Sequence, residues 1–308
     1  MEDIRRWLPL AAIAPIAWGS TYFVTREFLP DAPIWGATIR ALPAGLLLLA
    51  LVRRRPRGSW WWKSAVLGTL NVGAFFVLIY AAAQLMPASI ASTIMAFSPI
   101  ALALIAWPLV HEKPNRMRLG GAAVGVAGVM VMLWGGTTSV SGTGIAASVT
   151  AMVMSAVGFL LAKRWNPDVG ALASTAWQLT AGGLLLLPVA AVIEGPPPAV
   201  NGATIAGYAY LSLVATALAY VAWFTALGHL RADSVGLVGL LNPAAGVLLG
   251  VLIAGDTLEL RQWAGLIVVL LGVATPFAAK LVPPRVTATR QGSSRPLAGP
   301  AEFPARRS

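Results

Sequence analysis

Two stretches decide the fold. The first is Ser98–Gly128, SPIALALIAWPLVHEKPNRMRLGGAAVGVAG. The second is Asn242–Gly272, NPAAGVLLGVLIAGDTLELRQWAGLIVVLLG. Each reads as an apolar run with proline near its start, a short polar break, then a second apolar run rich in small residues. At a constant offset of 144, Pro99 matches Pro243, Glu112 matches Asp256, Gly121 matches Gly265 and Gly128 matches Gly272. The echo extends upstream. Ala88-Ser89-Ile90 resembles Asp233-Ser234-Val235 with a one-residue slip. At an offset of 138, Arg40 faces Gln178 and Gly45 faces Gly183. The matches keep their order and fall at equivalent points of equivalent runs, so the chain reads as an internal duplication.

Working outward, ten apolar stretches fill the chain: 8–24, 33–52, 64–85, 88–110, 119–135, 144–162, 170–192, 204–224, 234–254 and 262–279. A helix crosses the hydrocarbon core with about 20 apolar residues. Of 308 residues 57% are hydrophobic and 11% charged, which leaves little for a soluble domain. Most runs are too long for barrel strands and lack two-residue alternation, so the spans are helices. The repetition of spans also excludes a lone signal peptide. The expected fold is an all-α membrane protein of ten transmembrane helices. Two five-helix repeats, 1–136 and 137–281, precede a disordered basic tail, 282–308, rich in Pro, Ser, Gly and Arg. An odd number of spans per repeat inserts the second copy upside down.

The charges support this parity. With the N-terminus in the cytoplasm, Arg5 and Arg6, then Arg53, Arg54, Arg55, Arg57 and Lys63, fall on that side. So do Lys113, Arg116, Arg118, Lys163, Arg164, Arg231 and the six cations of the tail. Together they make nineteen of the 22 Lys and Arg. Only Arg26 and Arg261 lie across the membrane, and Arg40 lies within a span. The net charge of +11 therefore reports topology, with both termini cytoplasmic, rather than nucleic-acid binding. The partner read from the sequence is the lipid bilayer; the number of chains in an assembly stays open, a monomer included. No cysteine is present, which removes disulfides and thiol chemistry.

These residues resemble the drug/metabolite transporter superfamily, specifically its ten-helix EamA-type family. The resemblance rests on Trp18-Gly19-Ser20, Arg40, Ser98-Pro99 and Glu112 to Gly128, with Trp177-Gln178, Asn242-Pro243 and Asp256 to Gly272 in the second half. It covers Leu8 to Leu281. It implies inverted repeats and export of small metabolites across the bacterial inner membrane, with helices one, three, four, six, eight and nine around a cavity. The fifth and tenth lie to the side. Within the superfamily the chain looks most like the aromatic amino-acid exporters.

Rings sort by depth. Trp60, Trp61, Trp62 and Trp165 at one level and Trp35, Trp134 and Trp263 at the other suit the headgroup layers. Trp18, Tyr22, Tyr80, Tyr220, Trp223 and Trp177 lie deeper. All but Trp177 fall on the implied cavity helices, where water and substrate satisfy indole and phenol groups that lipid would not. Interhelical packing is the competing reading for each. Among the polar residues at this level, which include Gln84, Ser89, Thr93 and Ser155, Ser98 and Asn242 are the strongest candidates to touch ligand. Asn242 is a full amide within an apolar run. Pro99 and Pro243 are candidate hinges, since each removes a backbone donor. Arg40 costs about 2.5–3.5 kcal/mol to insert. It reads either as a clamp on helix-end carbonyls, which its expected peripheral helix favours, or as a site for a substrate carboxylate.

None of the eleven acidic residues falls in the middle third of a span, and His111 and His229 sit at cytoplasmic helix ends. Proton-driven carriers usually keep an intramembrane relay. Facilitated diffusion or exchange by alternating access is therefore expected, against a proton-coupled multidrug exporter as the alternative. No zinc signature, phosphate loop or intramembrane acid pair is present, so neither metal, cofactor nor catalytic residue is expected. A membrane-embedded enzyme and a channel are the remaining rivals.

Overall fold

A computed structural model describes residues 2–85, 94–134, 141–254 and 259–278. Among them every regular element is helical: α1 (Glu2–Phe28), α2 (Pro33–Val52), α3 (Trp60–Gly68), α4 (Ala74–Leu85), α5 (Ser98–Val110), α6 (Arg116–Leu133), α7 (Gly142–Trp165), α8 (Ala171–Ile193), α9 (Gly202–Ser212), α10 (Ala219–His229), α11 (Ala232–Gly239), α12 (Leu241–Ala254) and α13 (Leu260–Ala278). Nine helical segments within the described residues are long and apolar enough to cross a membrane. The tenth, α5, is shorter: a turn at Phe97 sets its start, and the expected beginning of its span, with Ser89 and Thr93, lies outside the described residues. So do Asp256, the tail 282–308 and the side chains of Tyr22 and Gln84. The ten-span reading stands, with the first and third helices starting earlier than their apolar runs.

Sequence explains the ends. Asn115, Ser141 and Asn201 each offer a side-chain oxygen to first-turn backbone N–H groups of α6, α7 and α9. Arg53 and His111 close α2 and α5 in the left-handed region, φ 52° and 58°, on the basic face.

Two spans pass through π turns, Thr69–Gly73 between α3 and α4 and Leu213–Leu218 between α9 and α10. Their first residues stand 144 apart, the offset of the duplication. Two other spans break just before their prolines. Phe97 precedes Ser98-Pro99 and Leu240 precedes Asn242-Pro243, each at a turn where an N–H reaches back three residues. Proline supplies no donor to the preceding turn, and the helix tightens or breaks there. The sequence anticipated a single bent ninth helix; the structure divides it into α11 and α12.

The repeats interlock. α2 packs along α8, and α6 packs along α13. α1 of the first repeat lies against α10, α11 and α12, while α7 of the second lies against α4 and α5. Small residues permit the approach. A Cβ on Gly45 would stand 2.4 Å from the backbone nitrogen of Thr180, and one on Gly128 would stand 2.6 Å from that of Val269. The glycine stripe of the fifth span therefore joins helices within one chain.

Candidate functional site

A cavity of about 590 Å³ lies between the repeats. Its floor is made by Leu102, Ala156, Trp223 and Gly236, all buried, and its rim by exposed Thr25 and Pro33 on the face opposite the basic loops. Of the residues singled out from sequence, Trp18, Tyr80, Ser98, Tyr220, Trp223, Asn242 and Pro243 all line it. Pro99 sits just outside, with its Cα 3.2 Å from where a Cβ on Gly236 would stand. Trp177 is elsewhere: its indole N–H donates to the Arg54 carbonyl and its ring lies 5.3 Å from Trp60, at the basic face rather than at depth.

The rings form a connected patch. Trp18 stands 5.4 Å from Tyr220 and 5.3 Å from Trp223, and Phe159 stands 5.5 Å from Trp223, in tilted or edge-on arrangements that aromatic pairs favour. The π turns fix two of these rings. Widening a helix by one residue frees carbonyls for side-chain donors. Ala215 O accepts from Trp18 Nε1 at 3.1 Å and from Arg40 Nη2 at 3.2 Å, while Thr216 Oγ1 accepts from Arg40 Nε at 3.0 Å. In the equivalent π turn, Asn71 O accepts from the Tyr220 hydroxyl at 3.1 Å, and Asn71 Nδ2 donates to Gln178 Oε1 at 2.8 Å. Arg40 and Gln178, paired by sequence, thus each reach into the π turn of the opposite repeat.

Arg40 also corrects the expected arrangement. Its helix is not peripheral: Pro33, Ala37 and Arg40 of α2 line the cavity, and the Arg40 guanidinium lies 5.1 Å over the Phe76 ring. Among the described lining residues Arg40 carries the only charge. No group of acids, histidines or cysteines able to hold a metal occurs among the described residues. Two buried polar atoms of the wall lack a protein partner, Trp223 Nε1 and Asn242 Oδ1.

The family of transporter-like proteins that this architecture evokes is matched twice, over residues 5–134 and 142–276, each one five-helix repeat. The chain belongs to the EamA-like transporter family. Protein PecM of Dickeya dadantii (strain 3937) is 35% identical over 260 residues, which is 83% of this chain and 87% of that protein. The inner membrane transporter YedA of Escherichia coli (strain K12) is 30% identical over 269 residues, 84% of this chain and 86% of its own. A protein of Salmonella typhimurium named a probable amino-acid metabolite efflux pump is 26% identical over 285 residues, 86% and 92% of the two chains. A solved crystal structure shares the fold with a TM-score of 0.77 and 18% identity, covering 89% of this chain and 98% of that one. This chain is therefore a multi-pass membrane transporter.

In this EamA-like protein the basic face is sealed beneath the cavity by groups that the sequence reading did not single out. Lys163 Nζ meets Glu112 Oε1 at 2.6 Å, and Glu112 Oε2 accepts from the Ala232 N–H at 2.7 Å. Arg118 and Asp233, both buried, pair at 2.5 Å, and Arg231 meets Asp233 at 3.2 Å. These bonds tie the loop after α5 to the loop before α11, hence one repeat to the other. Glu112 was visible as a repeat match, but its partners lie 51 and 120 residues away. On the far face Glu194 accepts from the N–H groups of Ile34 and Trp35 at 2.8 Å, binding α8 to α2 and so also joining the repeats. Asn71 was also missed, although an amide inside the apolar third span was a readable signal.

Proposed function

We propose that the protein exports small metabolites by alternating access, with aromatic amino acids as the leading substrates, by facilitated diffusion or exchange. The observation that carries this reading is a ring-lined cavity between two interlocked repeats, open toward one face and closed by ion pairs at the other. Inverted repeats around a central site are how many secondary carriers are built. Trp18, Tyr22, Tyr80, Tyr220 and Trp223 supply faces for an apolar body. Ser98 and Asn242 supply hydrogen bonds, and Pro99 and Pro243 mark the points where the fourth and ninth spans pivot. The repeats 1–136 and 137–281 are the moving units, with 282–308 a cytoplasmic tail. Both termini face the cytoplasm of a bacterium, in its inner membrane, which puts the sealed face inside. The name of the Salmonella relative supports amino acids as cargo.

Counterflow into liposomes holding the purified chain tests the reading. Saturable uptake of labelled phenylalanine, tyrosine or tryptophan is expected, unchanged when a pH gradient is dissipated. Uptake that stops without the gradient would establish the proton-coupled alternative, and flux that does not saturate would establish a channel.

A further inference from the structure

Arg40 stands where two hollows meet. The large cavity and a smaller recess of about 120 Å³ share Thr25, Pro33, Ala37, Arg40 and Phe76. A ligand moving between the exposed rim and the aromatic floor passes this guanidinium. The cation is fixed there by the π turn at 213–218, which accepts from its Nε and Nη2. Ala215 O, the same carbonyl, holds the Trp18 indole. Charge and ring are therefore set in fixed relation, a cationic head beside an aromatic wall.

No described lining residue is an aspartate or a glutamate. A cleft walled by one sign of charge in low dielectric concentrates ions of the other sign and repels its own. A carboxylate gains a charge-assisted hydrogen bond at Arg40, whereas the acceptors that the described lining residues offer an ammonium are neutral, such as Asn242 Oδ1. Building on the transport reading, we propose that Arg40 determines specificity by binding the carboxylate, and that the α-amino group is dispensable. The substrate class is then aryl or alkyl monocarboxylates of amino-acid size, hydroxy acids as well as amino acids. Cationic amines and amides of the same shape are rejected.

The test uses liposomes holding the full chain and two isosteric competitors of labelled phenylalanine: 3-phenyllactate, which keeps the carboxylate and lacks the ammonium, and phenylalaninamide, which does the reverse. Phenyllactate is expected to compete within about threefold of phenylalanine, and phenylalaninamide at least about tenfold more weakly. Arg40→Gln should abolish this preference. Arg40→Lys should keep it, and so should Thr216→Val, which removes one clamp but not the charge. Equal competition by both analogues in the wild type, or Arg40→Gln and Thr216→Val weakening both analogues alike, would overturn the assignment and leave Arg40 a structural clamp. If phenylalanine itself shows no flux, the choice of cargo fails. Thermal shifts of the detergent-purified protein with phenyllactate and phenylalaninamide then decide the carboxylate claim separately: stabilisation by phenyllactate alone upholds it, and equal or absent stabilisation rejects it.

Discussion

Two corners of this molecule are built alike and sit in opposite states. In one, Arg40 of α2 reaches the π turn at 213–218; in the other, Gln178 of α8 reaches the π turn at 69–73. The first corner faces the cavity. The second is dry: Gln178 and Asn71 are 0% and 1% exposed, and Gly158 packs so closely that a Cβ there would stand 2.1 Å from Asn71 Oδ1. Equivalent sequence in two environments is what inverted repeats produce when one half holds the open arrangement and the other the closed one. The comparison teaches that the open state is not a property of either repeat. On the alternating-access proposal it belongs to their difference, and exchanging the two arrangements moves the opening to the basic face.

The largest expected effect comes from breaking the seal that keeps the difference in place. Asp233→Ala leaves Arg118 buried without its partner, at a cost of about 3–5 kcal/mol to this state. Because the chain has no cysteine, a single Ser155→Cys reporter in the cavity wall reads the outcome without background. An impermeant maleimide added from the rim side should label the reporter, and Asp233→Ala should slow that labelling. Unchanged labelling in a folded double variant would show that the seal does not set the state.

Next in size is the dry corner itself. Gln178→Leu removes the acceptor for Asn71 Nδ2 and strands a buried amide donor, worth about 1–3 kcal/mol. Thermal unfolding in detergent should shift downward, while competition by substrates at the cavity keeps its order. Smaller still in stability is Tyr80→Ala, on the partly exposed cavity wall. Transport affinity should weaken about tenfold, near 1.4 kcal/mol, with expression and melting close to wild type. Export at wild-type rates would remove Tyr80 from the site. Trp223→Phe is the mildest test: the ring stays, the unpartnered N–H goes, and affinity should fall by about threefold, near the lower end of a net hydrogen bond.

How much of this was readable beforehand follows from the range of each interaction. The spans, their number and the basic face follow from local hydropathy and loop charge, and the structure agrees with them. The prolines at 99 and 243 signalled interruptions correctly because the missing N–H acts on the next turn back. Depth, together with the cavity helices that the family resemblance implied, picked out rings that line one cavity; depth itself failed at Trp177, because position along a span does not say which carbonyl the indole meets. The Arg40–Gln178 equivalence was legible, but its meaning was not. That required knowing that residues 138 apart each meet a π turn in the other repeat.

The sequence by itself determined what the bilayer tests one residue at a time: apolar length, charge asymmetry, proline position and the duplicated spacing. Tertiary structure alone decided which α2 side chain faces the cavity, that Asp233 meets Arg118 across 115 residues, and which of two equivalent corners is open. The physical reason is that lipid reads each helix separately. Hydrogen bonds and ion pairs between repeats depend instead on how closely two helices can approach, and that is settled only when both copies are packed together.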